Sequence, residues 1–291
     1  MVLNCPCCFS TEVTVEIKNY YSYRLYNCNV CGCTFCDPFK GPIRSFYNDA
    51  SDFESLRRHT TISKWPLNHP VVKSNIFKDC FGKTILDIGC GNGDFLEYAS
   101  SLGMKVIGID IDENSLLIAR SRGLKDSEFH NTTLIEFAKS EEIKFDFISM
   151  FEVFEHLDNP NETIQIIKNL LKKDGVFIGT LPNERRFCAK SLNLEYALPP
   201  YHLTFWIRKT WTKYLELNGF TTITCANTVY YGYLCDILYF RVLKSFQEIR
   251  KRKFLTFSTK VIFTIIKPIE AIIEKITKRS SSFYFEFQSK N

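Results

Sequence analysis

The chain has 291 residues, 45% of them hydrophobic and 24% charged, the balance of a soluble globular protein with room for one large domain and an appendage. Its first residues, MVLNCPCC, show neither the basic start nor the apolar core of a secretion signal, and no run of 18 uncharged apolar residues predicts a membrane span. The net charge of +5 is concentrated: Leu238 to Arg279 holds 11 Lys/Arg against 3 Asp/Glu, and the remainder is slightly acidic at 26 against 29, which argues against a nucleic-acid surface spread over the whole molecule.

Seven of the twelve cysteines lie in the first 36 residues. Without a secretion signal, this usage predicts a reducing, cytoplasmic setting in which thiols bind metal or stay free. Cys5/Cys8 and Cys28/Cys31 form two C-x-x-C pairs separated by 19 residues, the spacing of a zinc ribbon over residues 1–38. Four sulfurs at roughly 2.3 Å from one ion would make a closed structural site. A unit this small has too little core to fold alone, so the metal acts as its staple. Cys7, Cys33 and Cys36 are the neighbours that could replace a member of the set.

Residues 39–80 read as a polar, helical connector, and 81–291 as the main domain. Within it, apolar segments alternate with amphipathic helices whose ends are expected at Gly103, Gly123, Gly175 and Gly219, glycine being the residue a left-handed C-cap prefers. The segments KVIGID, SEFHN, VFIGT and FTTITC then read as strands. This rhythm predicts an α/β, doubly wound, Rossmann-like sheet. The stretch ILDIGCGNGDF, Ile85 to Phe95, closes the first strand with G-x-G-x-G. It lacks the lysine of a phosphate-binding P-loop, and Asp94 stands where a dinucleotide loop has its third glycine. An acidic Asp87 before the glycines suits a ligand with a positive amino group and no phosphate, such as S-adenosyl-L-methionine. Asp110, ending VIGID, can accept hydrogen bonds from ribose hydroxyls.

With ILDIGCGNG, VIGIDID, FDFISMFEVFEHLDNP, LLKKDGVFIGTLPN and YHLTFWIRKTWTKYLELNGF in place, residues 81–229 resemble class I S-adenosylmethionine-dependent methyltransferases. The resemblance implies a cofactor site of Asp87, Gly89, Cys90, Gly91, Gly93, Asp110 and Ile111, with the adenine near Asn131 to Leu134. It also implies a seven-stranded sheet with an antiparallel last strand, which FYFEFQ (Phe283 to Gln288) fits by alternation. A ribbon ending in Asp-Pro ahead of this fold resembles bacterial enzymes associated with sugar, glycan or small-molecule methylation. The Asn/Asp-Pro-Pro-Tyr/Phe motif of base methylation is absent after FDFISMF.

His156 and His202 are the candidate catalytic groups, since histidine can accept a proton near neutral pH. Glu152, Glu155 and His156 form E-x-x-E-H, which resembles the metal site of ubiquinone-pathway O-methyltransferases and of small-RNA 2′-O-methyltransferases. One helical turn would bring the three together for Mg²⁺ or Mn²⁺, with His202 as a further ligand. The expected reaction is methyl transfer to oxygen of a small molecule, sugar or lipid-linked glycan. The alternatives are an RNA or tRNA methyltransferase and a non-catalytic cofactor-binding module. The segment 231–280 reads as a basic, amphipathic helical insertion, with Pro268 near the start of its second helix. Within it, 238–279 predicts peripheral contact with anionic lipid at the inner membrane face.

Overall fold

The structure is a computed structural model that describes residues 3–20, 22–41, 65, 69–140, 143–184, 198–228 and 282–290. The predicted insertion 231–280, with Pro268, lies outside the described residues, as does most of the connector. At the N-terminus, β1 (Val13–Tyr20), β2 (Tyr23–Cys28) and β3 (Thr34–Asp37) form an antiparallel meander. What is described of the connector is Trp65, then a short helix α1 (Pro70–Lys73) and a 3₁₀ turn at Asn75–Phe77. His69 caps α1 by accepting from the Val71 N–H.

The main sheet follows as β4 (Thr84–Ile88), helix α2 (Asp94–Ser101), β5 (Lys105–Asp110), α3 (Glu113–Ser121), β6 (Ser127–Asn131), α4 (Leu134–Ser140), β7 (Phe145–Phe151), α5 (Pro160–Leu170) and β8 (Leu171–Pro182). After a two-residue strand, β9 (Thr204–Phe205), come α6 (Arg208–Leu217), β10 (Phe220–Thr228) and β11 (Ser282–Ser289). The sheet order is β10-β11-β8-β7-β4-β5-β6, with β11 antiparallel to both neighbours and β6 through β8 parallel. This is the doubly wound, seven-stranded sheet that the strand–helix alternation predicts.

Both faces are covered, so the strands are apolar at consecutive positions. Leu86, Ile107, Ile148, Phe177 and Phe285 meet α5 and α6 through Ile164, Ile167 and Trp211. Their neighbours Ile85, Val106, Phe147, Ile178 and Tyr284 meet Val71 of α1, Phe95 and Leu96 of α2 and Leu116 of α3. Helices α2, α3 and α6 are followed by Gly103, Gly123 and Gly219 with φ of 82°, 61° and 85°. Gly175 departs from the expectation. Helix α5 ends earlier, at Leu170, and Asp174 takes the positive φ of 63°. The register of β8 against β7 jumps from Leu171 opposite Phe145 to Val176 opposite Phe147, so residues 172–175 bulge out of the ladder.

The ribbon is not a separate body. Strand β9 is its fourth strand, with Thr34 opposite Phe205 and Phe35 opposite Thr204. Cys5, Cys7, Cys28, Cys31, Cys33 and Phe35 share one apolar cluster with Trp206, Trp211 and Tyr214 of the main domain. Among the described residues, no helix is long and apolar enough to cross a membrane.

Candidate active site

The glycine loop leaves the C-terminal end of β4 and is held by its neighbours' backbone. Gly89 N–H and Cys90 N–H donate to Ile109 O at 2.8 and 3.1 Å. Gly89, Gly91 and Gly93 have φ of 73°, 51° and 76°. At Gly89 a side chain is excluded twice, by the left-handed backbone and by Val153 Cγ2, 2.5 Å from where a Cβ would stand. Over Gly91 the space is open to 4 Å, so a ligand can approach that backbone closely. Cys90 turns its sulfur inward, toward Gly108, and burial pushes its thiol pKa up; only its backbone faces a ligand.

Two carboxylates flank the loop. Asp110 accepts from Gly91 N–H through Oδ2 and from Asp112 N–H through Oδ1, both at 2.8 Å, and Asn131 Nδ2 donates to its carbonyl. Asp87 is 3% exposed and accepts from Ser149 Oγ at 2.7 Å. Burial pushes its carboxyl up to about 7; the Ser149 hydrogen bond opposes this and the charge of Asp110 adds to it. No cation among the described residues pairs with Asp87, so a ligand ammonium would supply what the protein withholds.

Sequence reasoning missed Arg122, which braces the loop. Its guanidinium is 1% exposed and donates to Asn92 O at 2.6 Å, to Glu97 at 2.7 Å and to Asp94. The signal was available only as a cation at the end of a helix, next to Gly123.

The second half of the site follows β7. Glu152 has a φ of 54°, and only Phe154–His156 forms a helical turn. The single turn expected over Glu152, Glu155 and His156 is therefore not formed. The ligand atoms that lie within 4.8 Å of one another are those of Glu155, His156 and His202, so His202 joins the group and Glu152 does not. Glu155 is 2% exposed and His202 8%. The His156 and His202 rings are 4.8 Å apart, edge to face at 85°. His156 Nδ1 lies 2.8 Å from Tyr201 O. A carbonyl only accepts, so Nδ1 carries the proton and Nε2, 3.7 Å from Glu155 Oε1, is the basic nitrogen of the neutral ring.

In the ribbon, the sulfurs of Cys5, Cys8, Cys28 and Cys31 lie within 4.8 Å of one another. Cys5 and Cys31 are 3.7 Å apart, Cys8 and Cys28 3.5 Å. A tetrahedron of roughly 2.3 Å bonds needs sulfurs about 3.8 Å apart, so the four fit zinc. Cys7 and Cys33 pair aside at 3.5 Å, while burial pushes Cys36 up to about 12 and its thiol donates to Pro38 O.

The ribbon reaches the histidines through backbone. Cys36 N–H donates to Leu203 O at 3.1 Å, and Leu203 N–H donates to Glu155 O at 2.8 Å. Asn161 in the first turn of α5 donates to Cys7 O at 2.8 Å. A Cβ on Gly32 would stand 2.6 Å from Thr210 Cγ2, so the second knuckle packs on α6 with nothing between.

The sheet order and the glycine loop with its two acidic strand ends define an α/β fold of the S-adenosylmethionine-dependent methyltransferase class. A sequence family described as a methyltransferase domain matches residues 71–225, and the chain belongs to that family. It is 43% identical over 109 residues to a ubiquinone biosynthesis O-methyltransferase of Glaesserella parasuis, covering 35% of this chain and 46% of that one. To the enzyme of the same name from Hahella chejuensis it is 30% identical over 159 residues, 48% of this chain and 67% of that one. The chain thus spans about half to two thirds of these curated relatives. A phosphoethanolamine N-methyltransferase from Haemonchus contortus, solved with S-adenosyl-L-methionine, superposes with a TM-score of 0.60 at 17% identity, over 87% of this chain and 61% of that one.

Proposed function

We propose that the chain transfers a methyl group from S-adenosyl-L-methionine to an oxygen of a small molecule, a sugar or a lipid-linked glycan. The observation that carries this reading is the contact between the two halves of the site. Val153, whose carbonyl accepts from His156 N–H at 3.0 Å, fills the space over Gly89. A proton acceptor is thereby tied to the loop that would hold the methyl donor.

The open backbone at Gly91 and the uncompensated Asp87 fit the cofactor. Asp87, Gly89, Cys90, Gly91 and Gly93 would face its methionine end, with Asp110 and Ile111 toward the ribose. When bound, the cofactor supplies a methyl carbon on sulfonium, so the protein's task is to align a hydroxyl and take its proton. His156 Nε2 is the group we assign to that proton, and His202, beside it, contacts the acceptor. A second reading is that Glu155, His156 and His202 would hold Mg²⁺ or Mn²⁺, which would lower the pKa of a bound hydroxyl, His156 Nε2 then being a ligand and no longer the proton acceptor. Cys5, Cys8, Cys28 and Cys31 would hold a structural zinc. The relatives' names, which specify O-methyl transfer, support oxygen as the receiving atom.

The test is formation of S-adenosylhomocysteine with phenols, catechols and hexosides as acceptors. Turnover that depends on a hydroxyl compound, and that falls in His202→Ala while cofactor affinity holds, is the expected result. Transfer only to amines would contradict it. If a divalent ion sits at Glu155, His156 and His202, chelation by EDTA at levels that leave the ribbon zinc in place should abolish turnover, with recovery on Mg²⁺ or Mn²⁺; full activity in EDTA leaves the proton transfer to His156 alone. We place the enzyme in the cytoplasm, with 238–279 touching anionic lipid. Sedimentation with anionic liposomes at low salt, lost when Arg250, Lys251, Arg252 and Lys253 become glutamate, tests that placement.

A further inference from the structure

Strand β11 is buried on both faces, and from Phe283 to Phe287 its sequence is aromatic except at one position. Phe283, Phe285 and Phe287 face one core and are at most 1% exposed. On the other face Tyr284 is followed by Glu286, a carboxylate 3% exposed in the middle of a sheet. Folding does not call for a charge there, because a buried carboxylate loses its hydration and a glutamine would make the same bonds with less penalty. Glu286 Oε1 accepts from Ser74 Oγ and, at 2.8 Å, from Tyr284 OH. Among the described residues no donor reaches Oε2.

Glu286 lines a cavity of about 850 Å³ between the α1 end of the connector and the β10–β11 face. Opposite Glu286 in the ladder is Thr224, and opposite Tyr284 is the exposed Ala226. Asn75 brings an amide side chain to the wall that bonds to nothing among the described residues, and Lys73 brings an ammonium, while Asn227, opposite Phe283, turns its side chain to the other face of the sheet. Ile76 and Ile223 supply apolar surface.

The wall therefore offers one carboxylate oxygen, one amide that both donates and accepts, an ammonium, a hydroxyl and apolar patches. A phosphate would face Glu286, and a metal ion would find one carboxylate and a lysine. A neutral ligand carrying several hydroxyls matches every group. We propose that this cavity binds a sugar or polyol, apart from the methyl-transfer site. Strands β8 and β7 lie between β11 and β4, which places the two sites about 14 Å apart across the sheet. The proposal does not depend on the methyl acceptor's identity.

The experiment is an amide-resolved NMR titration of the full chain with the methyl glycosides of glucose, galactose and mannose. At least one should give saturable shifts at Thr224, Ala226 and Glu286 while Gly89 and Gly91 stay unmoved. Glu286→Gln should weaken that binding by about tenfold or more, since a charge-assisted bond is lost. Ala226→Phe, at an exposed position, should fill the cavity and abolish it, and it decides the matter if Glu286→Gln does not fold. Unchanged S-adenosylhomocysteine affinity in both variants shows the rest of the site intact. No saturable shift with any of the three glycosides, or equal affinity in Ala226→Phe, overturns the proposal.

Discussion

The two halves of the candidate active site are built in opposite ways. The cofactor half is local: Asp87, the three glycines and Asp110 come from one strand–loop–helix–strand unit, and backbone bonds from Ile109 hold the loop. The acceptor half is assembled from afar. His156 follows β7, His202 precedes β9, and the ribbon's β3 braces both through Leu203, which follows His202 and bonds to Glu155 O. A local unit keeps its geometry as long as the sheet stands. An assembled one depends on every element that clamps it, here including four cysteines at the other end of the chain. We therefore expect damage to the ribbon to reach the histidines and spare the cofactor loop.

Removing one of the four proposed zinc ligands is the strongest way to break the contrast. Structural zinc is worth on the order of 10 kcal/mol to small domains, so Cys28→Ser should lose the metal in elemental analysis and melt the ribbon strands. Its affinity for S-adenosylhomocysteine should stay within roughly 0.5 kcal/mol, as for distant independent sites. A loss of cofactor binding equal to the loss of stability would merge the two halves into one unit.

Trp211 ties the ribbon side of the acceptor half to the sheet, packing against Phe154, Trp206 and Phe285 with ring centroids 4.8 to 5.2 Å apart. Trp211→Ala should cost about 3–5 kcal/mol in denaturant unfolding. A smaller cost with full activity would show the joint to be loose. Asp110→Ala removes the acceptor of Gly91 N–H as well as the proposed ribose partner, and should weaken S-adenosylhomocysteine by about 1.5–3 kcal/mol in calorimetry. The zinc content should not change.

The smallest effect is a pH dependence on the cofactor side. Burial holds the folded Asp87 carboxyl near 7, above its ordinary 3.8. A raised pKa means the folded state keeps the proton more tightly. The stability this contributes is fully present below 3.8 and is lost as pH rises through 7. A ligand ammonium favours the ionised form, so S-adenosylhomocysteine should bind more tightly as pH rises toward 7, releasing a proton at pH values just below 7. Calorimetry in buffers of different ionisation enthalpy measures the proton, and Asp87→Asn should abolish its release. Binding with no proton release at pH 6 would show Asp87 already ionised.

The same division governs what the sequence discloses. The glycine loop, Asp87 and Asp110 are legible because their signal is short-range, and so is the sheet, whose apolar strands alternate with capped helices. FYFEFQ reads as the last strand because its alternation survives the long insertion before it. Cys5, Cys8, Cys28 and Cys31 are legible as two knuckles, but their union with the main domain is not. It rests on Thr204 and Phe205, two residues in an aromatic loop with no strand signal of their own. His156 and His202 are each visible, while their meeting depends on that pairing. Glu152 misleads because the turn begins two residues later, at Phe154, and its own backbone is left-handed. Gly175 misleads because a lysine-rich bulge imitates a helix end.

The most direct measurement is of the two imidazole rings by long-range ¹⁵N–¹H NMR, in the zinc-loaded protein and in Cys28→Ser, both with S-adenosylhomocysteine bound. The account predicts that the His156 and His202 signals shift or broaden in the variant while the amides of Gly89, Gly91 and Asp110 keep their positions. Unchanged imidazole signals in a protein that has lost its zinc would contradict it.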